Sequence, residues 1–349
     1  MKKKNRIIGS IVLAAAILAG GAFAYVAIQK PFRTGELTGT PVGTQIGRAV
    51  PPMQVDRNGD FVILQFTDTH LIDVRGKDLK TLDAIAAQVG RVGPDLVVVT
   101  GDMLDGLNTK LFADKRASLA AIASLFERRE TPWAYVPGNN DGETMGTTAE
   151  VVGFLAKNYQ FCVLGNKKGL TGETQYAIPL LDEDGVTVHE LLFMDSLMRD
   201  PETHYVTYDC MKQDQADWLQ ARLLALKAAA PLARASVFFH MNTPAFTAAK
   251  NEGAPYAAGY ATSDFPDEWS IDGNQAVDDA MNAAGNVGLV SIGHLHPSQN
   301  WCNFLDKTYY HIARPSGYQV AKQPGATKIT IHTDEGNPRR QYDFEEILF

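Results

Sequence analysis

Cysteine is scarce, with only Cys162, Cys210 and Cys302 in 349 residues. Their spacing matches no zinc–cysteine pattern, so a small zinc module does not organise this chain. Three thiols allow one disulfide and a free cysteine, or simply three packing residues. Basic tracts are absent after the first six residues and the net charge is −8, leaving no electrostatic footprint for nucleic acid. Repeats, heptads and low-complexity tracts are absent beyond the N-terminal segment, which excludes solenoids and coiled coils. Composition is globular instead, 45% hydrophobic and 21% charged, with enough chain for a large core. The negative balance does not decide the substrate, because a metal centre is locally positive even on an acidic protein.

The N-terminus has its own pattern. Lys2, Lys3, Lys4 and Arg6 precede an apolar run from Ile7 to Ile28. A charged region followed by such a run reads as a signal peptide, and Ala22-Phe23-Ala24 offers a small-x-small cleavage site. The run is also long enough to span a bilayer uncleaved, which takes about 20 residues. In that case it gives the protein its membrane contact. Either way the basic flank stays in the cytoplasm and the rest is extracytoplasmic. No cysteine lies in this segment to carry a lipid. Residues 29–59, rich in Gly, Pro and Thr, read as a linker, and residues 60–349 as one domain.

Within that domain, Phe61-Val-Ile-Leu-Gln-Phe-Thr-Asp-Thr-His70 begins as an apolar, strand-forming run and ends in polar groups. Lys77 to Val92 has an amphipathic helical pattern, with Leu79, Leu82, Ile85, Ala86 and Val89 on the apolar face. Pro94 to Thr100 reads as the next strand. This βαβ unit predicts a largely parallel layer with helices packed on it. Further helices are expected over Leu111–Arg129, Ala149–Lys157 and Gln213–Ala229. Strands are expected at Trp133–Val136, Phe161–Leu164, Gln175–Leu181, Val186–Met194, Ser236–His240 and Val287–Ile292. Three more follow, at Lys307–Ala313, Thr327–Thr333 and Gln341–Leu348. Thr247 to Asp272 lacks periodicity and reads as a long loop of the kind that often serves function.

Five of the strands end in metal-ligand chemistry: Asp68 and His70, Asp102, Asn139, His240, then His294 and His296. Residues two apart on an extended segment point the same way, so Asp68 and His70 can reach one ion together. Carboxylate, amide oxygen and imidazole without thiolate suit hard and borderline divalent ions. Seven ligands exceed what one zinc-like ion takes and suit two sharing a carboxylate. Of the eight histidines, His189, His204, His311 and His332 fall outside the set.

Asp68-x-His70, Gly101-Asp102, Gly138-Asn139-Asn140-Asp141, the lone His240 and Gly293-His294-x-His296 resemble the signature of the calcineurin-like metallophosphoesterases. The resemblance runs from about Phe61 to Tyr318. It implies a mixed α/β fold of two β-sheets sandwiched between helices, with a dinuclear centre of Mn, Fe or Zn. It further implies Asp68, His70 and His296 on one ion, Asn139, His240 and His294 on the other, and Asp102 bridging. Tyr208 to Leu219, Phe239 to Pro244 and Arg314-Pro-Ser-Gly-Tyr318 are similar to the small single-domain branch related to purple acid phosphatases. The tyrosine of a purple centre is replaced by Asp105, so an iron-tyrosinate is not expected.

Water between two such ions loses its proton near neutral pH and attacks phosphorus in line. The implied substrate is therefore a phosphoester, and the implied enzyme a phosphatase or phosphodiesterase. Asn140 departs from the family, which carries His beside the substrate at that position. An amide donates hydrogen bonds but is no acid at neutral pH. Leaving groups that need little protonation are then favoured. Asn140 and Arg314 are the candidate substrate contacts, Arg75 could touch a substrate anion as well, and His204 is an outside candidate for the missing acid. A metal-binding pseudoenzyme or interaction module on the same scaffold is the alternative. An amidohydrolase-type site fits poorly, because there His-x-His opens the motif order rather than closing it.

Overall fold

The computed structural model describes residues 50–106, 115–145, 147–198, 208–257, 274–297 and 301–349. The N-terminal apolar run, His204 and most of the expected long loop lie outside these residues.

In chain order the elements are β1 (Met53–Gln54), β2 (Asp60–Phe66), α1 (Lys77–Val92), β3 (Leu96–Thr100), α2 (Lys115–Glu127), β4 (Trp133–Val136), α3 (Asp141–Met145), α4 (Thr148–Asn158), β5 (Cys162–Val163), β6 (Gln175–Leu181) and β7 (Thr187–Met194). Then come α5 (Gln213–Ala229), β8 (Arg234–Phe238), α6 (Pro244–Glu252), β9 (Ala254–Pro255), α7 (Gln275–Ala284), β10 (Val287–Ile292), β11 (Trp301–Leu305), β12 (Thr308–Ile312), β13 (Gly325–His332) and β14 (Tyr342–Leu348). The result is a mixed α/β fold, two mixed sheets flanked by seven helices among the described residues.

One sheet has the order β14-β13-β2-β3-β4-β5. Its β2, β3, β4 and β5 run parallel, as the βαβ pattern predicts, and β13 lies antiparallel on β2. The other has the order β1-β6-β7-β8-β10-β12-β11-β9, with β7, β8, β10 and β12 parallel at its centre. The parallel strands are apolar on both faces because both faces are covered; all of β3 and all of β10 are buried. Helices α5 and α7 cover the larger sheet, where Leu219, Leu223 and Met281 join Leu192, Val237 and Val290 in one cluster.

A polar seam crosses between the sheets. Ser291 on β10 donates to Gln65 on β2 at 2.7 Å, and its oxygen lies 2.8 Å from His311 Nδ1. Gln65 in turn donates to Thr100 Oγ1 at 3.0 Å. Ser236 bonds His189 at 2.9 Å and Tyr342 at 3.1 Å. These pairs give the interface a specific register that apolar contact alone would not. They also give His189 and His311 structural posts, and burial pushes both rings down to about 3.

Several expectations need correction. Residues 244–252, inside or beside the expected loop, form α6, started by Pro244 at its first turn. Helix α7 and strand β11 were not anticipated. Leu79 is 43% exposed and does not belong to the buried stripe of α1, which is Thr81, Leu82, Ile85 and Val89 with Asp78. The end of the expected linker joins the fold, since β1 pairs in parallel with β6. All three cysteines are free. The expected N-terminal span lies outside the described residues, and among these no helix is long and apolar enough to cross a membrane.

Candidate metal centre

The site forms where the parallel strands of both sheets stop. Past β2 and β3 the chains stay paired, with Asp68 N on Gly101 O, His70 N on Asp102 O and Leu71 N on Met103 O. Four of the eight described non-glycine residues with left-handed φ are Asp68 (50°), His70 (44°), Asp102 (49°) and His294 (66°). Such backbone is strained for any side chain with a Cβ, and strain of this kind gathers at functional sites. Here it turns each strand end sharply, so that the side chain faces inward.

The structure brings the seven expected side chains together. Ligand atoms of Asp68, His70, Asp102 and His296 all lie within 4.8 Å of one another. His296 Nε2 is 3.0 Å from Asp68 Oδ1 and 3.1 Å from His70 Nε2. His70 Nε2 is 3.4 Å from Asp102 Oδ2. On the other side of Asp102, the same Oδ2 is 3.3 Å from His240 Nε2, which is 3.2 Å from Asn139 Oδ1. His294 joins this half through its ring, 5.2 Å from that of His240. Asp102 Oδ2 therefore stands between the two halves, the place expected of a bridge.

The imidazoles are oriented from behind. His240 Nδ1 donates to Thr100 O at 2.7 Å, which leaves Nε2 as the inward lone pair. Asp105 Oδ1, 3.2 Å from His70 Nδ1, does the same for His70. Burial alone would raise the Asp68 and Asp102 carboxyls. His296 draws Asp68 far below the usual range, and His240 and His70 do so for Asp102. Burial disfavours charge on His240, yet Asp102 and Asp68 raise it to about 9. Burial and the charge of His240 push His294 down to about 3. Two imidazole nitrogens facing each other at 3.1 Å beside two buried carboxylates is an arrangement that a shared cation relieves. Its nitrogen and oxygen donors fit the divalent ions expected from the sequence.

Residues outside the expected set hold the cluster in shape. Asp78 accepts from the backbone N–H groups of Ile72, Asp73 and Val74 at 2.7–2.9 Å and so folds the loop after His70. Asp141, raised to about 6 by burial and by Asp102, accepts from Leu104 N, Gly138 N and the Tyr135 hydroxyl. Ser196, on the loop after β7, accepts from His240 N and Met241 N. Its neighbour Asp195, raised to about 6 by burial, ties that loop to Glu173 N. Met194-Asp195-Ser196 is a further apolar-to-polar strand end, a sequence signal that could have found them.

Asn140 donates from its backbone N to Asp102 Oδ1 at 2.8 Å and from its side-chain amide to Asp102 Oδ2 at 2.6 Å. It braces the carboxylate as well as lying beside it. Arg314, expected near substrate, is buried and engaged elsewhere: its guanidinium pairs with Glu346 and donates to Gln323 O. The strap it belongs to matters through Ser316 and Gly317, whose backbone N–H groups donate to Thr67 O and Asp68 O. Arg75 pairs with Asp73 and is half exposed.

The family model for calcineurin-like phosphoesterases matches residues 61–298, well over half of the chain. The chain is similar to two curated Arabidopsis thaliana proteins. One is named probable inactive purple acid phosphatase 28, 29% identical over 48% of this chain and 49% of the relative. The other is named probable inactive purple acid phosphatase 29, 24% identical over 68% of this chain and 67% of the relative. The match thus spans about half the length of the first. Among solved structures, a dimetal phosphatase from Danio rerio shares the fold at 14% identity and a TM-score of 0.53, covering 82% of this chain and 99% of that one. The motifs, the sheet architecture and the matched span agree: the chain belongs to the calcineurin-like phosphoesterase family.

Proposed function

We propose that this protein is an extracytoplasmic phosphoester hydrolase working through two divalent ions, with Asp102 between them. The observation that carries the proposal is the convergence of Asp68, His70, Asp102 and His296 within 4.8 Å. Asp68, His70 and His296 would hold one ion, and Asn139, His240 and His294 the other. Bound there, such ions supply charge neutralisation for phosphoryl oxygens and an acidified water nucleophile. The protein's own part is orientation. Thr100 O and Asp105 fix the tautomers of His240 and His70, and Asn140 keeps both Asp102 oxygens in place. Asn140 lacks an acidic proton, so aryl esters, pyrophosphates and activated diesters are the preferred substrates. Export rests on the sequence of the N-terminal run, and cell fractionation tests it.

A second reading, a metal-binding protein without turnover, is favoured by Asn140 and by the names of the two plant relatives, both called inactive. One experiment separates them. The metal content of the purified protein is counted, and mono- and bis-aryl phosphates are offered with manganese, zinc or iron. Two ions per chain with turnover support the hydrolase; two ions with no turnover on any ester support the second reading.

A further inference from the structure

A row of rings leads from the floor of the centre to solvent. His240 is fully buried. Its ring packs on that of His294, and His294 meets Tyr208 edge to face, centroids 5.1 Å apart at 88°. Tyr208, the outer ring of the row, is 39% exposed. The backbone that carries it is anchored. Asp209 N donates to Met198 O at 2.8 Å, and Met211, buried in the core, donates from its N to Asn274 Oδ1 at 2.8 Å. On the opposite side, His296 has 31% of its side chain exposed. Tyr208 and His296 are thus two partly exposed rings at the candidate centre, one against His294 and the other against Asp68 and His70.

We infer that Tyr208 is a specificity-determining residue, the wall against which the aromatic part of a phosphoester packs. This rests on the hydrolase reading above and narrows its substrate class to aryl or heteroaryl esters. An exposed ring offers a flat apolar face, and offset or edge-to-face contact with a second ring adds to plain burial. Asn140 selects by the acidity of the leaving group, whereas Tyr208 selects by shape and by π surface. An alkyl phosphate gains nothing from the ring.

The test uses the full chain loaded with manganese and two non-hydrolysable probes, phenylphosphonate and methylphosphonate, measured by calorimetry. The wild type binds the phenyl compound more tightly. Tyr208→Phe retains that preference, and Tyr208→Ala weakens phenylphosphonate roughly three- to tenfold. Methylphosphonate affinity and metal content stay at the wild-type level in both variants. Unchanged phenylphosphonate binding in Tyr208→Ala overturns the inference. So does equal weakening of both probes, or loss of metal from the alanine variant, since either marks a merely structural support of His294. If neither probe binds the metal-loaded wild type, the hydrolase reading itself fails and this one with it.

Discussion

At the scale of single residues, Asn140 is the position where the chemistry of this protein departs from its family motif. Its amide donates to Asp102, and in the proposed hydrolase it would have no proton to lend a departing alkoxide. Asn140→His should restore an acid, and a positioned acid contributes roughly 10²–10⁴-fold. The expected outcome is a rise in kcat on alkyl phosphates of at least about tenfold relative to aryl phosphates. An equal change on both classes contradicts the assignment. Gly293 makes a different prediction. A Cβ there would meet Thr67 Oγ1 at 2.0 Å and Asp68 Oδ2 at 2.7 Å. Thr67 Oγ1 itself donates to Asp68 Oδ2 at 2.8 Å, so the methyl displaces the carboxylate's support as well as the carboxylate. Gly293→Ala should weaken metal binding roughly 10–100-fold, as loss of supporting contacts commonly does. Equilibrium dialysis with manganese measures it, and an unaltered circular dichroism spectrum shows that the fold persists.

The residues facing inward were legible from the sequence because each follows an apolar run that stops abruptly. The residues behind them were not. Ser196 and, through Leu104, Asp141 accept from backbone N–H groups of distant segments, Asp78 accepts from the loop just before it, and Thr100 acts through its own carbonyl. No spacing rule reaches such partners. Arg314 shows the same limit: an arginine near a motif points wherever its partner is, and in the structure that partner is Glu346.

At the scale of elements, most strands and four helices follow from periodicity, while β1, β9, β11 and helices α3, α6 and α7 do not. Helix α7 does bury Val277, Ala280, Met281 and Ala284 at helical spacing, but two of the four are alanines and the stripe is weak to the eye. Helix α6 buries only Phe246 and Ala249, too few for a period. The two-sheet arrangement itself was implied by the family motifs rather than by any pattern within one strand. The seam between the sheets carries a pH prediction. His311 titrates near 3 when folded, because burial disfavours its charged form, against about 6.5 when unfolded. The unfolded chain therefore takes up the proton first as pH falls through 6.5. This group's share of stability is present above 6.5 and is lost between 6.5 and 3, by up to about 1.4 kcal/mol per pH unit. His311→Gln keeps a donor and acceptor for Ser291 without titrating. Chemical denaturation at pH 7 and pH 4.5 should show the variant losing about 2 kcal/mol less than the wild type. An identical loss in both would place the acid sensitivity elsewhere.

At the scale of the whole molecule, the centre joins both sheets. Asp68, His70, Asp102 and Asn139 follow strands of one sheet, while His240, His294 and His296 follow strands of the other. An ion held between them ties the two layers together and should stabilise the fold as well as serve chemistry. Manganese at 100 times its Kd should add about 2.7 kcal/mol, visible as a rise in Tm that a chelator reverses. A Tm indifferent to both would mean that no ion bridges the layers.

The most direct measurement is an anomalous difference map from crystals grown with manganese. Two peaks are predicted about 3.5–4 Å apart with Asp102 between them, His70 and His296 on one side and His240 and His294 on the other. A map with no peak in contact with Asp102 would contradict the account.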